Sequence, residues 1–537
     1  MPQTRPALLS IIAHARAGAL DHAWRLFRDT GLDALTEDPA VVSVRGRLLK
    51  DQALGAQGAA RQRLYREAAE AYGHAARLGG GTYPLINAAT LSLLAGEEVA
   101  AAGLARQVLG RIARGEDEAE TPYWQGATQA EALLLLGRSQ EAQAALAAAI
   151  ERAPRAWEDH ASTLRQFALI LAAQGQDAGW LDAHRPPRAL HFAGHMALAS
   201  DAEPLAEQVR DFLEEEGVGF ACGALAAGAD ILIAEALIEH GAELHLILPA
   251  GRELFREASV SRHGADWAAR FDAVYAQADT VRTIGAPDDP PHPLAMRLAA
   301  EAAMGAAVMQ ARTLATEAVQ LLILDSAEPA AGEIGGSAWM RQRWAESGRR
   351  QTVMIAPRDR SAHGLPTSLD RSAWTLTAML AVEVDGADDA VAIEQRANAL
   401  YPRLAEAVAL GPPTLVPPGW SGETLRLAYD EPLAAARAAR LIADALKDTG
   451  DIRIGGHYGL ARRTPDPFGG PDRLLGSPAV VAEAIVRSVP PGAVHVTEDF
   501  AAALHAGPIG SLPRSEYVGD LPPDSIEDET RLFALKP

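Results

Sequence analysis

The sequence predicts a multidomain chain that is all-α first, then α/β, then α+β, with bounds at residues 1–182, 188–358 and 370–537. Three observations predict it. From residue 6 to about 179 the chain is rich in Ala and Leu at helical spacing, interrupted by Gly31, Gly79 to Gly81, Gly115 and Gly137. After Pro186-Pro187, short apolar runs alternate with helical stretches, the pattern of a sheet with crossover helices. A polar linker at residues 357–367, with Gly364 and Pro366, then separates a second alternation of strands and helices.

Composition bounds the function. The 537 residues suit about three domains at roughly 100 to 200 residues each, and 48% hydrophobic content fills their cores. A net charge of −21, from 70 acidic against 49 basic residues, opposes nonspecific binding to nucleic acid or to an anionic membrane. Neither is an expected partner. The single cysteine, Cys222, excludes an intramolecular disulfide framework and a multi-cysteine zinc site, and it reads as a small buried apolar residue. The start of the chain lacks signal-peptide character and no apolar run nears the roughly 20 residues that span a bilayer, so a cytoplasmic location is expected.

In the helical part, residues 65–78 and 123–152 put Ala and aromatic residues where two helices must approach closely. With Leu136-Gly137, Ala142 and Pro154, they resemble tetratricopeptide repeats over roughly 150 residues. The resemblance implies stacked helical hairpins whose concave face docks a protein partner. A plain helical bundle is the alternative. His14, His74 and His160 lack metal-ligand spacing and read as structural.

In the middle part, residues 189–193 read as a first strand that delivers Gly194, His195 and Met196 to its carboxyl end. A helix at 202–216 and a strand at 218–221 follow. Small residues at 221–229, including Gly223 and Gly228, lead through Asp230, read as a helix cap, into a helix ended by Gly241 and a strand at 244–248. Further strands are read at 280–284, 321–325 and 352–356. Between the last two, Gly332-Glu333-Ile334-Gly335-Gly336-Ser337 opens a helix at 339–347. Glycines admit a phosphate close to the backbone, Ser337 adds a hydroxyl and the helix start adds free amides. The amphipathic insertion at 251–279 offers Arg252, Arg256 and Arg262 as phosphate partners, or as solvated helix faces.

Phe192-Ala193-Gly194-His195, Gly228-Ala229-Asp230 with Glu235, and Gly335-Gly336-Ser337, in that order, are similar to the SLOG superfamily. Those Rossmann-like proteins include the Lonely Guy phosphoribohydrolases and the DprA proteins. The resemblance implies that a nucleotide or nucleotide derivative binds at the strand ends, through Gly194, His195, Gly223, Gly228, Asp230, Glu235, Gly335, Gly336 and Ser337. Hydrolysis is not implied, because Met340 stands where the phosphoribohydrolases carry a glutamate. Glu235 and Asp325 are the substitutes for a nucleotide or NAD hydrolase. Asp230 and Glu235 read equally as a cap and a solvated residue.

In the last part, strands at 374–384, 424–429, 451–458, 493–496 and 531–535 alternate with helices at 392–410, 432–448 and 476–486. Ile452 to Gly459 (IRIGGHYG), Leu475-Gly476-Ser477, Pro490 to Thr497 (PPGAVHVT) and Tyr517-Val518-Gly519 resemble the catalytic domain of class III nucleotidyl cyclases. A ferredoxin-like fold is implied. The family's two metal-holding aspartates match Glu383 and Glu423, with Asp385 a nearby alternative, and magnesium or manganese would be required only by an active cyclase. The family's Asn and Arg slots hold Val480 and Ala484, and its base-selecting Lys falls near Pro417-Pro418. Loss of an arginine clamp removes transition-state stabilisation. Glu383 reads otherwise as an edge-strand charge, Glu423 as a turn residue and His457 as a core histidine.

The expectation is a signalling or regulatory protein and not primarily an enzyme. It binds a nucleotide or nucleotide-derived molecule, docks partners through helical repeats and forms a homodimer through a pseudocyclase domain. Two enzymatic readings stay open. One is a divergent adenylate or guanylate cyclase using Glu383 and Glu423 with metal, and the other a hydrolase at the SLOG-like site.

Overall fold

A computed structural model describes residues 4–16, 19–116, 121–196, 198, 203–284, 291–326, 335–358, 373–384, 390–447, 452–508, 514–521 and 530–536. The expected linker beyond Arg358, the residues Gly332 to Ile334 and Asp385 lie outside these. The chain divides into two compact units, Met1–Pro186 with Thr313–Ala315, and Pro187–Arg312 with Thr316–Pro537.

The first unit is helical: α1 (Thr4–Arg16), α2 (Leu20–Asp29), α3 (Pro39–Gly55), α4 (Gly58–Arg77), α5 (Thr82–Leu94), α6 (Glu98–Ala113), α7 (Pro122–Leu135), α8 (Ser139–Arg152) and α9 (Trp157–Ala173). Asp38 caps α3 by accepting from the Ala40 and Val41 amides, and Thr121 caps α7 through the Trp124 amide. Each cap precedes a proline at the first helical position. Close approach within the hairpins needs glycine. A Cβ on Gly46 of α3 would stand 2.7 Å from the Tyr72 ring of α4, and one on Gly126 of α7 would stand 2.8 Å from Ala149 Cβ of α8. Alternate helices share a polar network: Lys50 of α3 donates to Gln166 of α9, and Gln166 and Thr90 of α5 both donate to Glu131 of α7.

The second unit begins with six parallel strands in the order β4-β3-β2-β1-β5-β6. In chain order they and their helices are β1 (Arg188–Gly194), α10 (Glu203–Glu216), β2 (Val218–Gly223), α11 (Ala229–His240), β3 (Glu243–Leu248), α12 (Arg252–Ser259), α13 (Ala265–Tyr275), β4 (Thr280–Thr283), α14 (Pro293–Thr313), β5 (Ala318–Leu324), α15 (Ser337–Glu346) and β6 (Gln351–Ile355). The central strands β1, β2 and β5 are buried on both faces, as crossover helices require. Leu190, Phe192, Leu321 and Ile323 face a core with α10, α11 and α13. On the opposite face, His191 meets Gln320 and lies stacked near Trp344 of α15.

The same unit holds a mixed sheet of eight strands in the order β13-β14-β12-β10-β7-β9-β8, with β11 beside β10. Its elements are β7 (Trp374–Val384), α16 (Ala390–Leu410), β8 (Gly419–Ser421), β9 (Thr424–Tyr429), α17 (Pro432–Leu446), β10 (Ile452–Thr464), β11 (Arg473–Leu475), α18 (Ser477–Ser488), β12 (Val494–Thr497), α19 (Glu498–His505), β13 (Arg514–Asp520) and β14 (Arg531–Lys536). Met379, Ala381 and Ala428 face α18. Leu376, Leu380, Leu427 and Tyr458 face α16, α17 and α19.

The helix α14 was not expected from the sequence, and it joins the two sheets. It connects β4 to β5, yet Leu298, Ala299, Ala302, Ala303 and Ala307 share one core with Leu376, Leu380, Tyr458 and Phe500 of the second sheet's side. Cys222 and Ile247 of the first sheet join the same core. Its closest approach is at Gly305, where a Cβ would stand 1.8 Å from the Ala502 carbonyl oxygen of α19. The strands β8, β11 and β13 and helix α19 were also not read from the sequence, and β10 runs past the expected residue 458 to Thr464.

Candidate functional site

Strand order reverses between β1 and β5, and open α/β sheets bind ligands at the carboxyl ends beside such a switch. Gly194 ends β1 there. A Cβ on it would stand 2.2 Å from Ala229 Cβ and 2.8 Å from the Ile323 carbonyl oxygen, so this glycine lets α11 press against the strands. Gly223 is equally filled, with the Phe192 ring 2.6 Å from its hypothetical Cβ. Both are packing glycines.

Asp230 corrects an expectation. The cap of α11 is Gly228, at φ +95°, and Asp230 lies inside the first turn. Its carboxylate accepts from the Gly194 amide at 3.0 Å and the Ala226 amide at 3.1 Å, tying the end of β1 to the small-residue loop. Burial pushes this carboxyl up to about 7, against the opposing effect of the two amides. The ordinary value is about 3.9, so the folded state binds the extra proton between these values. The resulting stability is full below about pH 4 and is lost as pH rises through 7, with a ceiling of about 4 kcal/mol. Asp230→Asn is expected to flatten that part of a plot of unfolding free energy against pH. A wild-type plot already flat from pH 4 to 7 would contradict the assignment.

His195 is buried, with Nδ1 2.9 Å from the Met196 carbonyl oxygen and Nε2 3.0 Å from that of Ala356. The ring therefore clasps the end of β1 to the residue after β6. Its own carbonyl accepts from the Ala229 amide, so Gly194, His195, Ala226, Ala229 and Asp230 form one hydrogen-bonded corner. Glu235 stands apart, in a bidentate pair with Arg270 of α13. Arg252 and Arg256 both bind Asp272, and Met340 packs against the core. Burial pushes the Cys222 thiol up to about 12, which keeps it protonated and unreactive.

The second loop opens α15. Gly336 is the cap residue and has no side chain to cap the helix with, and Ser337 is buried at its first position. Gly335 has φ +85°, and a Cβ on it would stand 2.7 Å from the Arg297 amide nitrogen of α14. Such a helix start leaves amides for an anion.

On the second sheet, Glu383 pairs in register with Thr424, the residue after Glu423. Glu423 sits with Gly422, at φ +60°, in the turn between β8 and β9. The two candidate carboxylates are thus neighbours in the backbone. The edge-strand reading of Glu383 is corrected, because β7 lies between β10 and β9. Arg426, two positions along β9, binds Glu483 of α18 and the Ser421 hydroxyl. Val480 is 65% exposed and Ala484 packs beside the Val481 and Ile485 cluster. Among the described residues no three His, Cys, Asp or Glu side chains gather as a metal group would need. His457 meets the Thr497 hydroxyl at 3.0 Å, and burial lowers its ring.

Sequence reasoning missed the polar groups on α14. Arg297 binds Glu301 and Glu431, and Glu301 accepts from the Tyr458 hydroxyl of β10 at 2.9 Å. The available signal was an Ala-rich helix with an apolar surface all round, the mark of burial between two layers.

In the first unit, a cleft of about 290 Å³ is lined by Phe27, Leu32, Val41, Glu67, Glu70 and His74, among others. No described helix is long and apolar enough to cross a membrane.

Comparison with known proteins bears on both units. Residues 7–92 match the family described as Tetratricopeptide Repeats-Sensor. No curated protein matches the chain. Among solved structures, the adenylyl cyclase CyaB from P. aeruginosa is similar at 9% identity and TM-score 0.26, over 30% of this chain and 95% of that one. A Trypanosoma brucei adenylate cyclase is similar at 14% identity and TM-score 0.23, over 30% and 87%. A dimeric guanylyl cyclase domain of the RhoGC fusion protein from Blastocladiella emersonii is similar at 15% identity and TM-score 0.22, over 30% and 96%. The family match is confined to residues 7–92, and the cyclase structures named cover 30% of the chain.

Proposed function

We propose that this is a nucleotide-responsive signalling protein. Its SLOG-like sheet at residues 188–358 binds a nucleotide or nucleotide derivative, its helical repeats dock a protein, and its cyclase-like region pairs two copies without making a cyclic nucleotide. The observation that carries the reading is the start of α15 at Gly336-Ser337. It follows β5 at the switch point, and its glycine cap brings no side chain to the helix amides, which suits a phosphate. The Gly194, His195 and Asp230 corner is assigned the role of holding the neighbouring strand end. Pairing of copies is supported by exposed apolar side chains on α18 and the β10–β11 arm, Val480 and Leu475 with Phe468, which is 92% exposed.

Calorimetric titration of AMP, ADP, ATP and NAD into the full chain tests the reading. Binding of at least one is expected, and Gly336→Val is expected to abolish it by filling the space a phosphate needs. The adjacency of Glu383 and Glu423 favours one other reading, a divergent cyclase. A cyclic product from ATP or GTP with manganese, lost in Glu423→Ala, would replace the pseudocyclase assignment.

A further inference from the structure

We propose that Glu431, through Arg297, couples the Gly335–Ser337 loop to the cyclase-like sheet, so that movement of the loop shifts the first turn of α17. Gly335 packs closely on α14: a Cβ added to it would stand 2.7 Å from the Arg297 amide nitrogen and 3.0 Å from its Cα. The Arg297 guanidinium lies 5.7 Å from the ring of Trp339, two residues after Ser337, and donates to Glu431 at 2.8 Å. Arg343 of the same helix α15 is 3.9 Å from the other oxygen of Glu431. One carboxylate thus gathers contacts from both helices beside the loop.

Glu431 is the cap residue of α17 and follows β9, the strand that begins at the Glu423 turn. A second branch runs through Glu301 to Tyr458 on β10. These contacts form a contiguous polar chain that runs from the half-exposed Glu431 through Arg297 to the buried Glu301 and Tyr458, the kind of element that transmits a displacement. That a nucleotide sets the loop's position rests on the function proposed above. The coupling of loop to sheet does not.

The test is amide hydrogen exchange on the full chain without ligand. Gly335→Ala, strained at positive φ and in collision with Arg297, is expected to raise exchange at Ala435 and Ala436, the first hydrogen-bonded amides of α17, by about tenfold. The amides of β2 and β3 should keep their wild-type rates, which separates this effect from unfolding. Glu431→Ala should raise the same amides, and adding Gly335→Ala to it should change nothing more. Wild-type exchange at Ala435 and Ala436 in Gly335→Ala, or additive effects in the double variant, overturns the proposal. If Gly335→Ala does not fold, Trp339→Leu removes the ring beside the Arg297 guanidinium and is judged by the same two outcomes. A parallel arm with AMP reads protection at 337–340. Its failure counts against the nucleotide reading, while the substitutions alone decide the coupling.

Discussion

Gly305→Val is expected to unfold the second unit or leave it barely stable. At this crossing of α14 and α19, a Cβ would meet the Ala502 carbonyl oxygen at 1.8 Å, its carbon at 2.2 Å and its Cα at 2.5 Å. All three are backbone atoms, so no rotamer change relieves the clash. The helices must separate, which opens the core that Ala302 and Ala303 share with Phe500 and Ala501. Overpacking a core costs about 1–3 kcal/mol when side chains can adjust, and more when they cannot. Against a total of roughly 5–15 kcal/mol for a domain, that is a large fraction. Urea unfolding followed by circular dichroism measures it. An unchanged midpoint would mean that α14 does not pack on the second sheet's helices.

Glu301→Ala is expected to cost about 3–5 kcal/mol, the range for removing one partner of a buried ion pair. Glu301 is 1% exposed and accepts from Arg297 at 3.1 Å and from the Tyr458 hydroxyl at 2.9 Å. Its loss leaves a buried hydroxyl unsatisfied and leaves Arg297 with Glu431 alone. Glu301→Gln keeps an acceptor and should cost less. Replacing Arg297 and Glu301 together by Met and Leu should cost less than Glu301→Ala, because no charge is stranded. Unfolding free energies of the three variants check the order, and equal losses in all of them would assign the effect to packing alone.

Local pattern made much of this fold legible. The apolar runs at β1, β3 and β5 announced buried strands, and Gly31, Gly115 and Gly137 marked helix ends because each holds a positive φ. The strand at β7 and the Gly422-Glu423 turn were readable for the same reason. What was not readable depends on partners far away in sequence. Asp230 follows a glycine and precedes an apolar run, which looks like a cap, but its acceptor atoms serve the Gly194 amide 36 residues earlier. Glu235 looks available until Arg270 of α13 is beside it. The helix α14 carries few polar residues to set a periodicity, and the layer it completes begins about 60 residues later. At the candidate site, Gly336 and Ser337 were visible as a loop before a helix, whereas the seating of Gly335 on Arg297 required the assembled sheet.

The central claim is that the uncapped start of α15 binds a nucleotide phosphate. Isothermal titration of AMP into the full chain and into Gly336→Val measures it most directly, with inorganic phosphate as a second titrant to separate phosphate from nucleotide recognition. The account predicts saturable heat in the wild type for AMP or for one of ADP, ATP and NAD, and none in Gly336→Val at unchanged melting temperature. Equal heats in both proteins, or no heat from any of the four nucleotides, would contradict it.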